Sequence, residues 1–217
     1  MINLLSLNRK VKKIRLNLKM IFQKLNSMEN PKNIVIFVSG NGSNMSNLIS
    51  HFDSNPEINV EAVFSNKKDC LGITNAQEAG VNTVAFSKQE LEEGNVTELV
   101  DLLNVDLIVL AGFLLKIPKE FTSQFENKIV NVHPSLLPKF GGKGMYGKHV
   151  HRAVIEAGET KSGITFHYVN ENYDEGNIIE QFECEINPKD TWKDLQANIQ
   201  QLEHEHFPVV IEKLLTQ

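Results

Sequence analysis

The sequence is poor in cysteine and lacks any long apolar run. Its two cysteines, Cys70 and Cys184, stand far apart. That spacing argues against a zinc ribbon, a C-x-x-C redox motif and a disulfide-stabilised secreted scaffold. No stretch reaches the ~18 to 20 apolar residues that a membrane-spanning helix requires. We therefore expect a cytoplasmic protein whose main body is not in a membrane, and a chain of 217 residues can bury a core without a metal or a disulfide.

Acidic side chains are absent from residues 1–28, which carry seven basic ones. The remainder has 15 Lys plus Arg against 27 Asp plus Glu, a net charge of -12, which argues against non-specific binding of nucleic acid. Apolar residues in the basic segment recur at three- and four-residue steps, a pattern typical of an amphipathic helix.

The basic segment at residues 1–30 has three interpretations. A transit peptide is basic and poor in acid but favours Arg and Ser, whereas this segment uses mostly Lys and Asn. A helix on a membrane surface is the second interpretation. We expect the third, an extension outside the fold, with activity beginning after Met28 and residues 31–217 forming one domain.

Short apolar runs alternate with helical stretches through the first part of that domain. The pattern predicts strands at 33–38, 58–65, 82–86, 107–111 and 129–133, separated by helices at 43–51, 73–79, 88–103 and 119–125. This order implies βαβ units, and hence an α/β fold with an open, mostly parallel, doubly wound sheet and helices on both faces. A helix near 150–157, strands at 163–169 and 178–185, and a closing helix at 191–215 predict an antiparallel addition at the carboxyl-terminal side.

The turn at residues 39–44 (SGNGSN) matches neither the dinucleotide-binding fingerprint nor the Walker motif. The third glycine of G-x-G-x-x-G is missing, and no Walker lysine follows. N–H groups at the start of the next helix can still bind an anion, and glycines let a ligand approach the backbone. A single phosphate monoester fits this turn best, and the alternative is a plain βα turn.

Asn131 and His133 end the fifth predicted strand, within NVHPSLLP. Residues two apart on a strand share a face, so a carboxamide and a protonated imidazole can aim at one point and stabilise an oxyanion. The alternative is a capping Asn and a structural His, which the stiff proline-rich context disfavours. Asp174, in the turn NENYDEG, could support the imidazolium if it comes close to His133. Ser135 sits in no G-x-S-x-G elbow, which disfavours a serine hydrolase.

Four histidines are candidate metal ligands. His149 and His151 precede or begin a helix, and His204 and His206 lie two apart on the closing helix. Helix positions two apart point in different directions, so the second pair cannot easily share one ion. We expect no metal site.

Taken together, these segments resemble the phosphoribosylglycinamide formyltransferases, the folate-dependent transformylases of purine synthesis. The markers are VIFVSGNGSN, SNKKD, LAGFLLKIP, IVNVHPSLLPKFGGKG, GITFHYVNENYDEGNII and EHEHFP, in this order between Asn33 and Leu215. The resemblance implies a Rossmann-like fold and transfer of a formyl group from 10-formyltetrahydrofolate, the co-substrate, to the amine of glycinamide ribonucleotide.

The resemblance also implies roles for individual residues. Gly42, Ser43 and Asn44 would hold the phosphate of the nucleotide, and Glu203 would contact the same substrate. The residues that would bind the folate are Leu114, Leu115, Lys116, Ile117 and Asn131. Asn131 and protonated His133 would bind the oxyanion of a tetrahedral intermediate, while Asp174 would keep His133 charged and help move the proton. Many members carry Met-Arg where this chain has Leu114 and Leu115.

Three alternative functions remain beside this interpretation. A formyltetrahydrofolate deformylase shares the catalytic half but adds an amino-terminal regulatory domain, for which about 30 residues are too few. Methionyl-tRNA formyltransferase adds a carboxyl-terminal barrel for tRNA, and none is expected here. The rival of another class is a non-catalytic folate- or nucleotide-binding protein. The expected partners are small molecules rather than nucleic acid or a membrane, in a monomer or homodimer.

Overall fold

The computed structural model of the protein describes residues 31–216, so the predicted basic leader lies outside the described residues. The strands are β1 Lys32–Val38, β2 Ile58–Ser65, β3 Asn82–Ala85, β4 Leu107–Leu110, β5 Ile129–His133, β6 Lys161–Tyr168 and β7 Ile178–Glu185. The helices are α1 Ser43–Phe52, α2 Leu71–Glu78, α3 Lys88–Glu92, α4 Asn95–Leu102, α5 Lys119–Gln124, α6 Lys148–Glu156 and α7 Trp192–Thr216. None of the helices among these residues is both long and apolar enough to cross a bilayer.

The seven strands form one sheet in the order β3-β2-β1-β4-β5-β6-β7. Strands β1 to β5 run parallel, whereas β6 and β7 are antiparallel additions. The predicted sheet, including its late antiparallel part, is confirmed. From β1 the chain builds outward to β2 and β3 and then returns to β4 on the other side, so the loops after β1 and β4 diverge. Such a switch point opens a crevice at the carboxyl ends of the strands.

The core has two halves, one on each face of the sheet. Along β1, Ile34, Ile36 and Val38 pack on the face covered by α1, α6 and α7. Val35 and Phe37 pack on the other face, against apolar side chains of α3, α4 and α5. From Ile34 to Val38 this central strand is apolar at every position and buried on both sides, as its continuous apolar sequence predicts. Full burial of each large side chain contributes about 1.5 to 3 kcal/mol.

The single helix predicted over residues 88–103 is wrong, because two short helices occupy this segment. Ser87 and Glu90 form a reciprocal capping box that starts α3. Gly94 then adopts a left-handed conformation with φ 90°, which ends one helix and begins the next. Glycine is the residue that takes this conformation without strain, so Gly94 was the local signal for the break.

Helix α7 contains a proline, and a hydrogen bond one turn before this residue connects α7 to α1. Its start is capped by Thr191, whose N–H donates to Asp194 Oδ2 at 2.8 Å. Pro208 has no N–H, so the carbonyl of His204, one turn earlier, loses its usual helical donor. The side-chain amide of Asn47 in α1 donates to this carbonyl at 2.7 Å. The contact fixes the middle of α7 beside the start of α1.

Candidate functional site

A cavity of about 580 Å³ opens at the carboxyl ends of β4 and β5. It is bounded by the loop after β4, the end of β5, the loop before α6, the turn between β6 and β7, and one side of α7. The lining includes residues 112–117, 131–134 and 142–147, together with Asn44, His151, His167, Tyr173, Asp174, Gln200 and Glu203. The cavity therefore lies where a switch-point sheet is expected to bind its ligand.

The structure brings Asn131, His133 and Asp174 together in this cavity. His133 is buried, with its Nδ1 atom 3.4 Å from Asp174 Oδ2. The opposite ring nitrogen, Nε2, donates to the backbone carbonyl of Phe140 at 2.8 Å. Each nitrogen thus faces an acceptor, and the doubly protonated ring is the form that satisfies both. The geometry favours a positively charged imidazole at the end of β5.

Asn131 has a partner that the sequence did not reveal. Its Nδ2 atom lies 3.1 Å from His167 Nε2, while His167 Nδ1 donates to the carbonyl of Tyr168 at 2.9 Å. Burial lowers the pKa of His167, in spite of Asp174 Oδ1 at 3.6 Å from Nε2. A neutral His167 therefore accepts one amide hydrogen from Asn131 and leaves the other free to meet a ligand.

His167 was missed because polar residues on a predicted strand carry little signal alone. The antiparallel register pairs it directly with Asn131. Only the pairing of β5 with β6 makes the two side chains neighbours, and no spacing along the chain encodes that pairing.

The loop before α6 holds Asp174 in place. The N–H of Gly142 donates to Asp174 Oδ2 at 2.8 Å. A Cβ atom added to Gly141 would lie 3.2 Å from the Asp174 Cβ and 2.6 Å from Leu137 Cδ2. Asp174 itself adopts a left-handed conformation with φ 57°. A small residue at 141 is thus required for the loop to approach the carboxylate.

The glycine turn after β1 leads into α1 as predicted, but only part of it reaches the cavity. Gly42 has φ 74°, and a Cβ there would lie 2.8 Å from the Gly72 Cα. Gly42 and Ser43 do not line the cavity, whereas Asn44 does. The Asn44 side-chain amide donates to Glu203 Oε2 at 2.8 Å. Burial raises the pKa of Glu203, so the turn and α7 meet at a carboxyl group that accepts protons readily.

The segment after β4 forms one wall of the cavity. Leu114, Leu115, Lys116 and Ile117 all line it, with Leu114 exposed and Ile117 buried. The N–H of Leu114 donates to Ser39 Oγ at 2.9 Å. The Lys116 ammonium lies 5.6 Å from the centre of the Tyr173 ring, in the turn that also carries Asp174.

The four candidate metal-ligating histidines lie in different environments. His151 is buried in the cavity wall, and burial together with nearby His133 lowers its pKa to about 4. His149 and His204 are exposed, and His206 stacks on Phe182 with ring centres 3.6 Å apart. Among residues 31–216, no group of three or more His, Cys, Asp or Glu side chains is arranged to hold a metal ion.

Comparison with known proteins finds the same family by sequence and by structure. Residues 32–211 match a family model described as formyl transferase. Phosphoribosylglycinamide formyltransferase of Escherichia coli K12 is 36% identical over 185 residues, which are 82% of this chain and 85% of that protein. The chloroplastic phosphoribosylglycinamide formyltransferase of Arabidopsis thaliana is 40% identical over 188 residues, 83% of this chain. This chain spans 64% of the length of that plant relative and 61% of the one from Vigna unguiculata.

Solved structures agree with this result. The phosphoribosylglycinamide formyltransferase of Anaplasma phagocytophilum is 30% identical with a TM-score of 0.78, covering 86% of this chain and 88% of that one. The enzyme of the same name from Streptococcus pneumoniae TIGR4 is 33% identical with a TM-score of 0.75, covering 85% and 99%.

Proposed function

Because the chain belongs to the formyl transferase family, we propose that it transfers a formyl group from 10-formyltetrahydrofolate to the amine of glycinamide ribonucleotide, a step of de novo purine biosynthesis. Residues 31–217 form the catalytic domain in this proposal, acting in the cytoplasm on small molecules without a metal. The observation that carries it is the convergence of Asn131, His133 and Asp174 in one cavity of about 580 Å³.

The proposed reaction is acyl transfer through a tetrahedral intermediate. The amine nitrogen attacks the formyl carbon, and the carbonyl oxygen becomes an oxyanion. The free amide hydrogen of Asn131 donates to this oxygen, and the imidazolium of His133 supplies positive charge beside it. Asp174 keeps His133 protonated and helps to carry the proton from the attacking amine to the departing folate nitrogen.

The two substrates bind on opposite sides of these groups in the proposal. Gly42, Ser43 and Asn44 receive the phosphate of the nucleotide at the start of α1, where backbone N–H groups and the helix dipole favour an anion. Glu203 accepts hydrogen bonds from the same substrate, which is supported by its place beside Asn44. The residues proposed to bind the folate are Leu114, Leu115, Lys116, Ile117 and Asn131.

The test is to incubate the purified protein with 10-formyltetrahydrofolate, with and without glycinamide ribonucleotide, and to identify the products. Formylated nucleotide together with tetrahydrofolate, formed only when the amine is present, is the expected result. Formate released without the amine would instead identify a deformylase. Binding of both compounds without turnover would identify a non-catalytic binding protein.

A further inference from the structure

The spacing between the two proposed substrate sites is not set by the sheet. The ladder between β1 and β4 ends at the pair Phe37 and Leu110. Two further backbone hydrogen bonds follow, from Ala111 N–H to Phe37 and from Ser39 N–H to Gly112. After them the chain separates into the turn at residues 39–44 and the segment at residues 112–117. These two stretches are proposed to hold the nucleotide and the formyl donor, so their separation decides how far the amine stands from the formyl carbon. A reaction between two bound molecules is sensitive to such spacing.

Ser39 joins the two stretches. It follows β1 directly and is fully buried. Its hydroxyl oxygen accepts a hydrogen bond from the N–H of Leu114 at 2.9 Å, and its own N–H donates to the carbonyl of Gly112 at 3.2 Å. One residue thus binds both ends of the segment at 112–114.

Asn66 orients the Ser39 hydroxyl. It follows β2, and its Oδ1 atom accepts the hydroxyl hydrogen of Ser39 at 2.6 Å. With the hydrogen committed to Asn66, a lone pair of Ser39 Oγ is left for the N–H of Leu114. The loops after β1, β2 and β4 therefore meet in one short hydrogen-bond chain.

We propose that Ser39, oriented by Asn66, is a positioning residue that holds the segment Leu114–Ile117 at the distance from the nucleotide turn that formyl transfer requires. The inference rests on the proposed function. Neither Ser39 nor Asn66 lines the cavity, so both act through Leu114 rather than by touching a substrate. They would govern binding and alignment of the formyl donor.

The nucleotide turn has anchors that do not depend on the Ser39 hydroxyl. The N–H of Gly72 donates to the carbonyl of Gly40 at 3.0 Å, and the N–H of Ser46 donates to the carbonyl of Gly42 at 2.8 Å. Loss of the hydroxyl should therefore loosen the donor side and spare the nucleotide side. This asymmetry separates positioning from a general loss of structure.

The test compares Ser39→Ala with the unaltered chain in steady-state kinetics, with each substrate varied in turn. A buried N–H left without its acceptor costs ~1 to 3 kcal/mol, so KM for the formyl donor should rise roughly 5- to 150-fold while KM for the nucleotide changes less than about twofold. Asn66→Ala should shift the same KM in the same direction. Asn66→Asp keeps the acceptor oxygen and should remain close to the unaltered chain.

The double variant Ser39→Ala/Asn66→Ala should be no worse than Ser39→Ala alone, because both changes break one hydrogen-bond chain. Ser162→Ala is the matched control: this serine is also buried, its Oγ has no hydrogen-bond partner among the described residues, and it lies outside the cavity lining. It should leave both KM values unchanged. If Ser39→Ala does not fold, Asn66→Ala, at a half-buried position, carries the test.

Equal rises in both KM values, or an unchanged KM for the donor in Ser39→Ala, would overturn the inference while leaving the proposed function intact. Absence of turnover by the unaltered chain would overturn the proposed function first. Equilibrium binding of 10-formyltetrahydrofolate to each variant gives a readout independent of turnover, and affinity should fall in parallel with the rise in KM.

Discussion

Two buried histidines lie within 4 Å of the same carboxylate and take opposite roles. His133 has an acceptor at each ring nitrogen, Asp174 on one side and the Phe140 carbonyl on the other, which suits the charged ring. His167 donates through Nδ1 to a carbonyl and faces the Asn131 amide with Nε2, which suits the neutral ring. The hydrogen-bond partners, rather than the distance to Asp174, distinguish the two.

Replacement of Asn131 by Ala should reduce kcat by ~10²- to 10³-fold, because it removes the proposed oxyanion donor. Steady-state kinetics with both substrates saturating measures the loss. Asn59→Ala, at an exposed position outside the cavity, is the control and should keep full activity. A rise in KM with kcat unchanged would assign Asn131 to substrate binding instead.

His151 should make the protein less stable as the medium becomes acidic. Its pKa falls from 6.5 to about 4 in the folded chain, so between these values the unfolded chain binds the proton more tightly. The contribution of His151 to the free energy of unfolding is therefore fully present above pH 6.5. It is lost as the pH falls towards 4, by at most about 1.4 kcal/mol per pH unit.

Urea unfolding of His151→Gln between pH 4 and 7 measures this contribution as the difference in slope from the unaltered chain. The variant should lose stability less steeply on acidification. His149→Gln, the exposed neighbour on the same helix, should retain the original slope. Identical slopes for all three proteins would mean that His151 titrates alike in the folded and unfolded chains.

At the scale of elements, the site depends on contacts between segments distant in sequence. Strand β6 brings His167 opposite Asn131, and the β6–β7 turn carries Asp174 to His133. Helix α7 places Glu203 beside Asn44 at the start of α1. The Asn47 amide closes the gap that Pro208 leaves in α7, so the two helices keep one relative position. Each wall of the cavity is thus fixed by a bond to another element.

Gly42→Ala should weaken nucleotide binding, since the turn requires both a left-handed backbone and a missing Cβ. The added atom would meet the Gly72 Cα at 2.8 Å. Gly80→Ala is the matched control, because Gly80 has nearly the same φ, 77°, with nothing within 4 Å of an added Cβ. Both changes should cost roughly 1 kcal/mol of stability from the strained backbone.

Calorimetric titration with glycinamide ribonucleotide separates the two variants. Only Gly42→Ala should bind more weakly, by at least about tenfold. Equal affinity of the two variants for the nucleotide would show that its phosphate binds somewhere other than this turn.

At the scale of the whole molecule, a single switch in strand order creates the cavity. Strands β1 and β4 are neighbours, yet the chain leaves them towards opposite sides of the sheet. Among residues 31–216, those that line the cavity run from Asn44 to Glu203.

We predict that a chain that begins at Met28 keeps kcat and both KM values within about twofold of the full chain. Kinetics of the two purified proteins side by side test this prediction, and Asn131→Ala in the shorter chain gives the background rate. A loss of activity beyond tenfold would assign the basic segment a part in folding or catalysis.

Much of the fold followed from local pattern. The predicted bounds of β2, β5 and β7 match the structure to the residue. In β5 the run is mostly apolar, as in a strand covered on both faces. In β7 apolar and polar side chains alternate from Phe182 to Glu185, as in a strand with one exposed face. The single helix predicted over residues 88–103 missed the break between α3 and α4, because the left-handed turn at Gly94 depends on a single backbone conformation.

The sequence by itself determined the strand–helix alternation, the glycine turn and the pair Asn131 and His133, because these depend on neighbours within a few residues. Tertiary structure alone decided that His167 pairs with Asn131, that Phe140 and Asp174 flank His133, and that Ser39 reaches Leu114. These contacts join residues 7 to 75 positions apart. They form only once strand order and register bring the segments together, which no local preference of the chain specifies.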